Sequence, residues 1–201
     1  MRLRDLVLVA IALIGVTTPA SAQAVRTTCD PDEQPFFICE TNRKDKYVAI
    51  CATEVEVGKR WSAIQYRYGK EDKAELVYPQ NAREGATKLF FSHVEKGTMY
   101  MVSVRFTSGG FTYLVESAGD SASDPIGNGA AGVTVTDANG KTVADIQCIE
   151  RPTLFAPYMQ MALACDLENP HGKAACAKDP LHLPAEKHQS KAPTPRKSPV
   201  R

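Results

Sequence analysis

Histidines, carboxylates and one glycine-flanked serine are the side chains here that could carry out acid–base or nucleophilic chemistry, and six cysteines could hold a metal or cross-link the chain. His93 falls at the end of a predicted strand, His171 in a predicted turn, and His182 and His188 close to the C-terminus. No H-x3-H or H-E-x2-H spacing occurs, the patterns that set two imidazoles on one helix face for zinc. Each histidine is therefore expected on the surface or in a turn. Ser108 lies between Thr107 and two glycines, but the G-x-S-x-G elbow of a nucleophilic serine is absent. Asp30, Glu40, Glu116, Asp120 and Asp124 are the acids available to cleave a glycan, and spacing pairs none of them. The stretch from Gly119 to Gly132 brings Asp120, Asp124 and Asn128 together in sequence, without the D-x-[DN]-x-[DN]-G register and distal glutamate of a calcium loop. Phosphate-cradling and dinucleotide glycine patterns are missing as well. The residues thus assign no catalytic set, no metal and no cofactor, and the expectation is a protein that is not an enzyme. Loops on a rigid scaffold are where binding residues concentrate. Ser108, Gly109, Gly110, Tyr113, Asp120 and Asp124 are accordingly the candidate binding residues.

The cysteines depend on where the chain goes. Arg2 and Arg4, an apolar run from Leu6 to Val16, and small residues at Ala20, Ser21 and Ala22 have the order of a secretory signal peptide, cut after Ala22 or Ala24. The run is about eleven residues and a membrane span needs about 20, so no transmembrane anchor is expected in the mature chain. All of Cys29, Cys39, Cys51, Cys148, Cys165 and Cys176 lie beyond the cut, and an even count in an exported chain implies a disulfide framework. Loss of Arg2, Arg4 and Asp5 leaves 22 basic and 22 acidic residues. That balance gives no general drive towards nucleic acid or an anionic membrane. The expected location is periplasmic or secreted.

The elements that must position these groups are mostly strands. From Pro35 to Cys148 apolar and polar residues alternate with period two between turn residues, and about nine short strands predict an antiparallel small barrel or sandwich. Asn139-Gly140 predicts a two-residue type I′ turn that sets Val135 opposite Ala144, Val133 opposite Ile146 and Ala131 opposite Cys148. A second hairpin turns at Ser108-Gly109-Gly110, with Tyr113 and Val115 meeting Tyr100, Val102, Val104 and Phe106 on a core face. A first hairpin from Phe36 to Thr53 puts Cys39 almost opposite Cys51. The pairing Cys39–Cys51 competes there with a bond from Cys51 or Cys29 to Cys148, which would tie the first strands to the last. After Cys148, Pro157 starts a short helix in which Tyr158, Met161, Ala162 and Cys165 recur at helical spacing, clipped by a Cys165–Cys176 bond. The organisation is a signal peptide at 1–22, a disulfide-bonded β domain at 29–148, a helical extension at 149–183 and a basic, proline-rich disordered tail at 184–201.

The segments "SAIQYRYGKEDKAELVYP", "FTSGGFTYLVES" and "GVTVTDANGKTVADIQC" resemble a group of uncharacterised exported bacterial β-domain proteins of similar size. That resemblance covers Cys39 to Cys148 and implies a periplasmic or secreted β domain with no known activity. More distantly, "SGGFTY" is similar to the S-G-x-x-Y loop by which periplasmic and membrane-bound lysozyme inhibitors of the MliC/PliC type enter the lysozyme cleft. Ser108, Gly109 and Tyr113 supply that loop with one additional residue, and the only lysine–glycine pair, Lys96-Gly97, precedes it where the family places one after.

The functional expectation is a non-catalytic cell-envelope binding or inhibitory module, in lysozyme-inhibitor fashion, whose partner is a lysozyme-like hydrolase or an envelope glycan. The alternatives are a small secreted enzyme acting on envelope polymers and a structural envelope protein held by its basic tail.

Overall fold

A computed structural model describes residues 27–56, 60–120 and 130–169. The strands in chain order are β1 (Gln34–Glu40), β2 (Tyr47–Glu56), β3 (Arg60–Lys70), β4 (Lys73–Tyr78), β5 (Phe90–Lys96), β6 (Met99–Ser108), β7 (Phe111–Asp120), β8 (Ala131–Thr136), β9 (Thr142–Gln147), β10 (Thr153–Leu154) and β11 (Ala164–Cys165). Two short helices, α1 (Gly85–Lys88) and α2 (Ala156–Ala162), fill the connections after β4 and β10. The strands form two sheets, ordered β10-β1-β2-β3-β4 and β11-β5-β6-β7-β8-β9. All pairings are antiparallel except β5 with β11. The mainly β architecture read from the alternation is observed, and of the two forms it allowed, barrel or sandwich, the two sheets make a sandwich.

Alternation builds the core directly. Val102, Val104 and Phe106 of β6, Val115 of β7 and Val133 and Val135 of β8 are buried on the inner face of the second sheet. Val48, Ile50 and Ala52 of β2 and Ile64 and Tyr66 of β3 are buried on the first, in the same apolar cluster. Removing each large side chain of this kind from water contributes about 1.5–3 kcal/mol. One interruption is informative. Cys51 pairs with Gln65 and Thr53 with Ser62, so two residues of β3 oppose one of β2, and Ala63 sits at φ 48°. This bulge puts both Trp61 and Ile64 on the core side, which strict alternation would forbid.

Both glycine hairpins form, one of them by a different turn. Ser108 pairs with Phe111, and Gly109 and Gly110 have φ of 60° and 82°, the two positive angles of a type I′ turn. Val135 faces Ala144 and Val133 faces Ile146, as the segregation of apolar residues requires, and Cys148 N–H donates to the Ala131 carbonyl at 2.8 Å. The type I′ turn expected at Asn139-Gly140 is not present, because only Gly140 has positive φ. Gly140 N–H donates to the Asp137 carbonyl and Asp137 N–H to the Lys141 carbonyl, which makes a three-residue loop with Gly140 in the left-handed position. Asp137 Oδ1 favours the longer loop by accepting from the N–H groups of Asn139 and Lys141. The register shift between Val135 and Thr136 restores the expected pairing.

The disulfides correct the pairings drawn from sequence. Cys39 is bonded to Cys148 and Cys29 to Cys51. Cys39 lies opposite Val48, while Cys51 lies opposite Pro35, so the two cysteines are not cross-strand neighbours. They also face opposite ways: Cys39 belongs to the main core, whereas Cys51 packs with Ile38, Ala49 and Cys29 on the outer face. Cys39–Cys148 spans 109 residues and joins the two sheets where Thr41 bridges Cys148. Ile149 N–H donates to the Glu40 carbonyl at the same corner. Cys165 is also disulfide-bonded; its expected partner Cys176, like the signal peptide and the basic tail, lies outside the described residues.

The stretch after Cys148 is not an appendage. Leu154 pairs with Phe37, Cys165 with Phe91, and Met159 of α2 and Leu163 just after it enter the core. The helical face expected through Met161 and Cys165 is displaced, with Met161 48% exposed and Cys165 in a strand. The helix stops at Ala162 because Leu163 is extended (φ −109°, ψ 151°), which redirects the chain along β5. Just beyond, the fully buried Asp166 accepts two hydrogen bonds from Arg105, from Nε and Nη2 at 2.8 Å each. It also accepts from the N–H groups of Glu168 and Asn169. At the other terminus Arg67 holds Glu33 in the same two-pronged way, at 2.7 and 2.8 Å. Each terminal arm is thus pinned across the outer face of one sheet by a bidentate arginine and a nearby disulfide.

Candidate functional site

The inner face of the second sheet is apolar over most of its length and turns polar towards the end where β5 meets β6. Phe91, Val104 and Val115 give way along β5, β6 and β7 to His93, Tyr100 and Ser117, with Glu95 beyond. Among the described residues, the two-residue β10 and the chain on either side of it face this end. The result is a cleft of about 370 Å³. Pro152, Leu154 and Ala156 form its opposite wall, and Met99 and Thr98 its lip. That volume falls within the range of small-ligand sites.

Strand geometry fixes the polar groups. His93 Nε2 lies 3.2 Å from Glu95 Oε1, two residues along the same face of β5. Glu95 pairs with Tyr100, and Tyr100 with Gly119. A Cβ on Gly119 would sit 2.7 Å from the Tyr100 hydroxyl and 2.9 Å from its ring, so the missing side chain lets the phenol lie across β7. Ser117 is 4% exposed at the floor. His93 and Ser117 flank Val102 from opposite sides, so they stand two strands apart, roughly 10 Å. Hydrogen-bonded activation of a serine by histidine needs about 3 Å. The geometry therefore offers a ligand an imidazole–carboxylate pair, a phenol and a hydroxyl, with Arg151 beside Pro152 on the opposite wall, without joining a nucleophile to a base.

The candidate residues from sequence divide between two distant places. Gly109 and Gly110 form the exposed tip of the β6–β7 hairpin, with Ser108 beside them and Phe111 40% exposed. Tyr113 is not at the tip. It is half-buried on the inner face, its ring 4.7 Å from Phe106 and parallel to it within 2°. Tyr78 stacks on Phe106 as well, at 4.6 Å. Asp120 pairs with Met99 at the mouth of the cleft; Asp124 and the rest of 121–129 lie outside the described residues. Each strand of this hairpin has ten residues, so the turn and Asp120 are about 30 Å apart. The described start of the Gly119–Gly132 loop accordingly lies far from the Ser108–Gly110 turn.

Asp30 approaches Arg67 on the outer face of the first sheet, while Glu116 is on the outer face of the second. Cys29, Glu33 and Cys51 converge within 4.8 Å, but the sulfurs are bonded to each other and Glu33 is held by Arg67, so no thiolate is available to a metal. His93 and Tyr100 carry no motif in the sequence, and only the pairing of β5, β6 and β7 brings them to one cleft. Comparison of the chain with protein-family models, curated proteins and solved structures finds no match.

Proposed function

We propose that this protein is an exported, non-catalytic binding module of the cell envelope, with the cleft between the sheets as its ligand site. The carrying observation is the switch of inward-facing residues from apolar to polar at this cleft. The half-buried His93 and Tyr100 and the buried Ser117 occupy positions that valine or phenylalanine fill elsewhere on the same strands, and a polar side chain withdrawn from water is favoured where a ligand can satisfy it. Two disulfides among the described residues fit the oxidising space outside the cytoplasm. Among those residues no helix is long and apolar enough to cross a membrane. Soluble peptidoglycan fragments added to the mature protein are expected to broaden or shift the His93 imidazole resonances, and a His93→Ala, Tyr100→Ala double variant to lose the response. Cleavage of the fragments, or an identical response in the double variant, would overturn the reading.

A narrower reading, inhibition of a lysozyme-like hydrolase, is favoured by the β6–β7 tip, whose tight turn carries the exposed Phe111 at a projecting end. It predicts that C-type, G-type or I-type lysozyme is inhibited by the mature protein and not by a Phe111→Asp variant. No inhibition by the unaltered protein would end it.

A further inference from the structure

The outer face of the second sheet carries a groove unconnected with the cleft. Two hollows, of about 440 and 150 Å³, share Met101 and Glu116 between them. Leu114 lies in the first and Ala118 in the second, giving the groove an apolar floor. Glu116 stands in the middle, opposite Gly132, where the β9 backbone at Ile146 and Gln147 comes close. It receives no hydrogen bond or ion pair from any described residue, and partial burial alone holds its carboxyl above the ordinary range. The charged groups around it are Arg105, already committed to Asp166 and Glu168, and the acids Glu168 and Asp145. The groove is therefore acidic, with one carboxylate awaiting a cation that has an apolar stem.

The chain itself leads into this groove. Glu168 and Asn169, the last described residues, line its rim. Asn169 Nδ2 donates to Ser103 Oγ at 3.5 Å, and Ser103 is the direct cross-strand partner of Glu116. Residues 170–201 contain seven Lys or Arg against two Asp or Glu, a net of +5 in a chain whose total is +1, so residues 1–169 carry −4. Four of the lysines, Lys178, Lys187, Lys191 and Lys197, are interspersed with five prolines over residues 178–201, a composition that favours an extended strap. We infer that residues 178–201 dock in cis along the outer face of the second sheet, with a lysine ammonium on Glu116 and its methylenes over Met101 and Leu114.

Zero-length carbodiimide cross-linking of the full mature chain tests this, with the 2.7 Å Lys46–Glu75 ion pair as internal control. The expected product is an intramolecular link from Glu116 to one of the four lysines, lost in Glu116→Gln and reduced about tenfold by 0.5 M salt, where screening shortens to a few ångströms. Carboxyl NMR titration supplies a second readout. Glu116 should titrate below the ordinary glutamate value of about 4.3 in the full chain, and above it when the four lysines are changed to glutamine. A control link without any Glu116 link, a Glu116 link joining two chains, or a Glu116 titration unmoved by the lysine changes would each overturn the inference.

Discussion

Replacing Asp166 with alanine removes an acceptor of four hydrogen bonds and leaves Arg105, whose side chain is 14% exposed, without its main partner. Taking one partner from a buried ion pair costs about 3–5 kcal/mol, most of it the penalty of a stranded charge. Two features place this case at the lower end. Glu168 remains 3.0 Å from Arg105 Nη1, and the Phe90 ring lies 5.2 Å from the guanidinium carbon. The expected loss is about 3 kcal/mol, or roughly 6–12 °C in Tm for a domain of this size. Urea denaturation and calorimetry of the mature chain measure it, with Glu168→Ala, an 80% exposed partner, as a control expected to lose under about 1 kcal/mol. An Arg105→Met, Asp166→Leu double variant should be more stable than Asp166→Ala, because it strands no charge. A loss under about 1 kcal/mol for Asp166→Ala, or a double variant no better than the single, would refute the view that this pair fastens the C-terminal arm.

Other expectations follow from the same geometry. Changing Cys39 and Cys148 to alanine should cost about 4–5 kcal/mol by the loop-entropy model, given a closure of 109 residues; Cys29 and Cys51, closing 22, should cost about 3. Calorimetry of the two double variants checks the order. Gly85→Ala would drive a methyl group into the Ile64 backbone carbonyl, and a loss of more than about 2 kcal/mol is expected, typical of overpacking against backbone that cannot yield. In the chain with the four tail lysines changed to glutamine, Glu116→Gln should stabilise at neutral pH. Burial raises the folded-state pKa of Glu116 above its unfolded value, so ionisation weakens the fold as pH rises through that window. The gain should vanish below about pH 4, where both states are protonated, and at half-exposure it should stay under about 1 kcal/mol.

Local chemistry made much of the fold legible. Gly109-Gly110 announces its turn because two positive φ angles have few other takers, and the β8–β9 register follows from Val133, Val135 and Ile146 sharing a face. Asn139-Gly140 marks the hairpin but not its loop length, since Asp137, outside the dipeptide, captures the N–H groups that decide it. The disulfides depended on faces and not on spacing: Cys39 and Cys51 sit on adjacent strands with opposite parity. Asp166 carried no motif, and only the return of the chain along β5 brings it under Arg105. The cleft was hidden for a similar reason. His93 and Tyr100 read as ordinary strand residues until the pairing of β5 with β6 sets them in one cleft.

The central claim, a ligand cleft without turnover at the polar end of the sandwich, is tested most directly by backbone NMR of the mature protein titrated with soluble peptidoglycan fragments, followed by mass spectrometry of the fragments. Saturable shifts centred on His93, Tyr100 and Ser117 are expected, with the fragments recovered intact. Shifts confined to other surfaces, no shifts at all, or shortened fragments would contradict it.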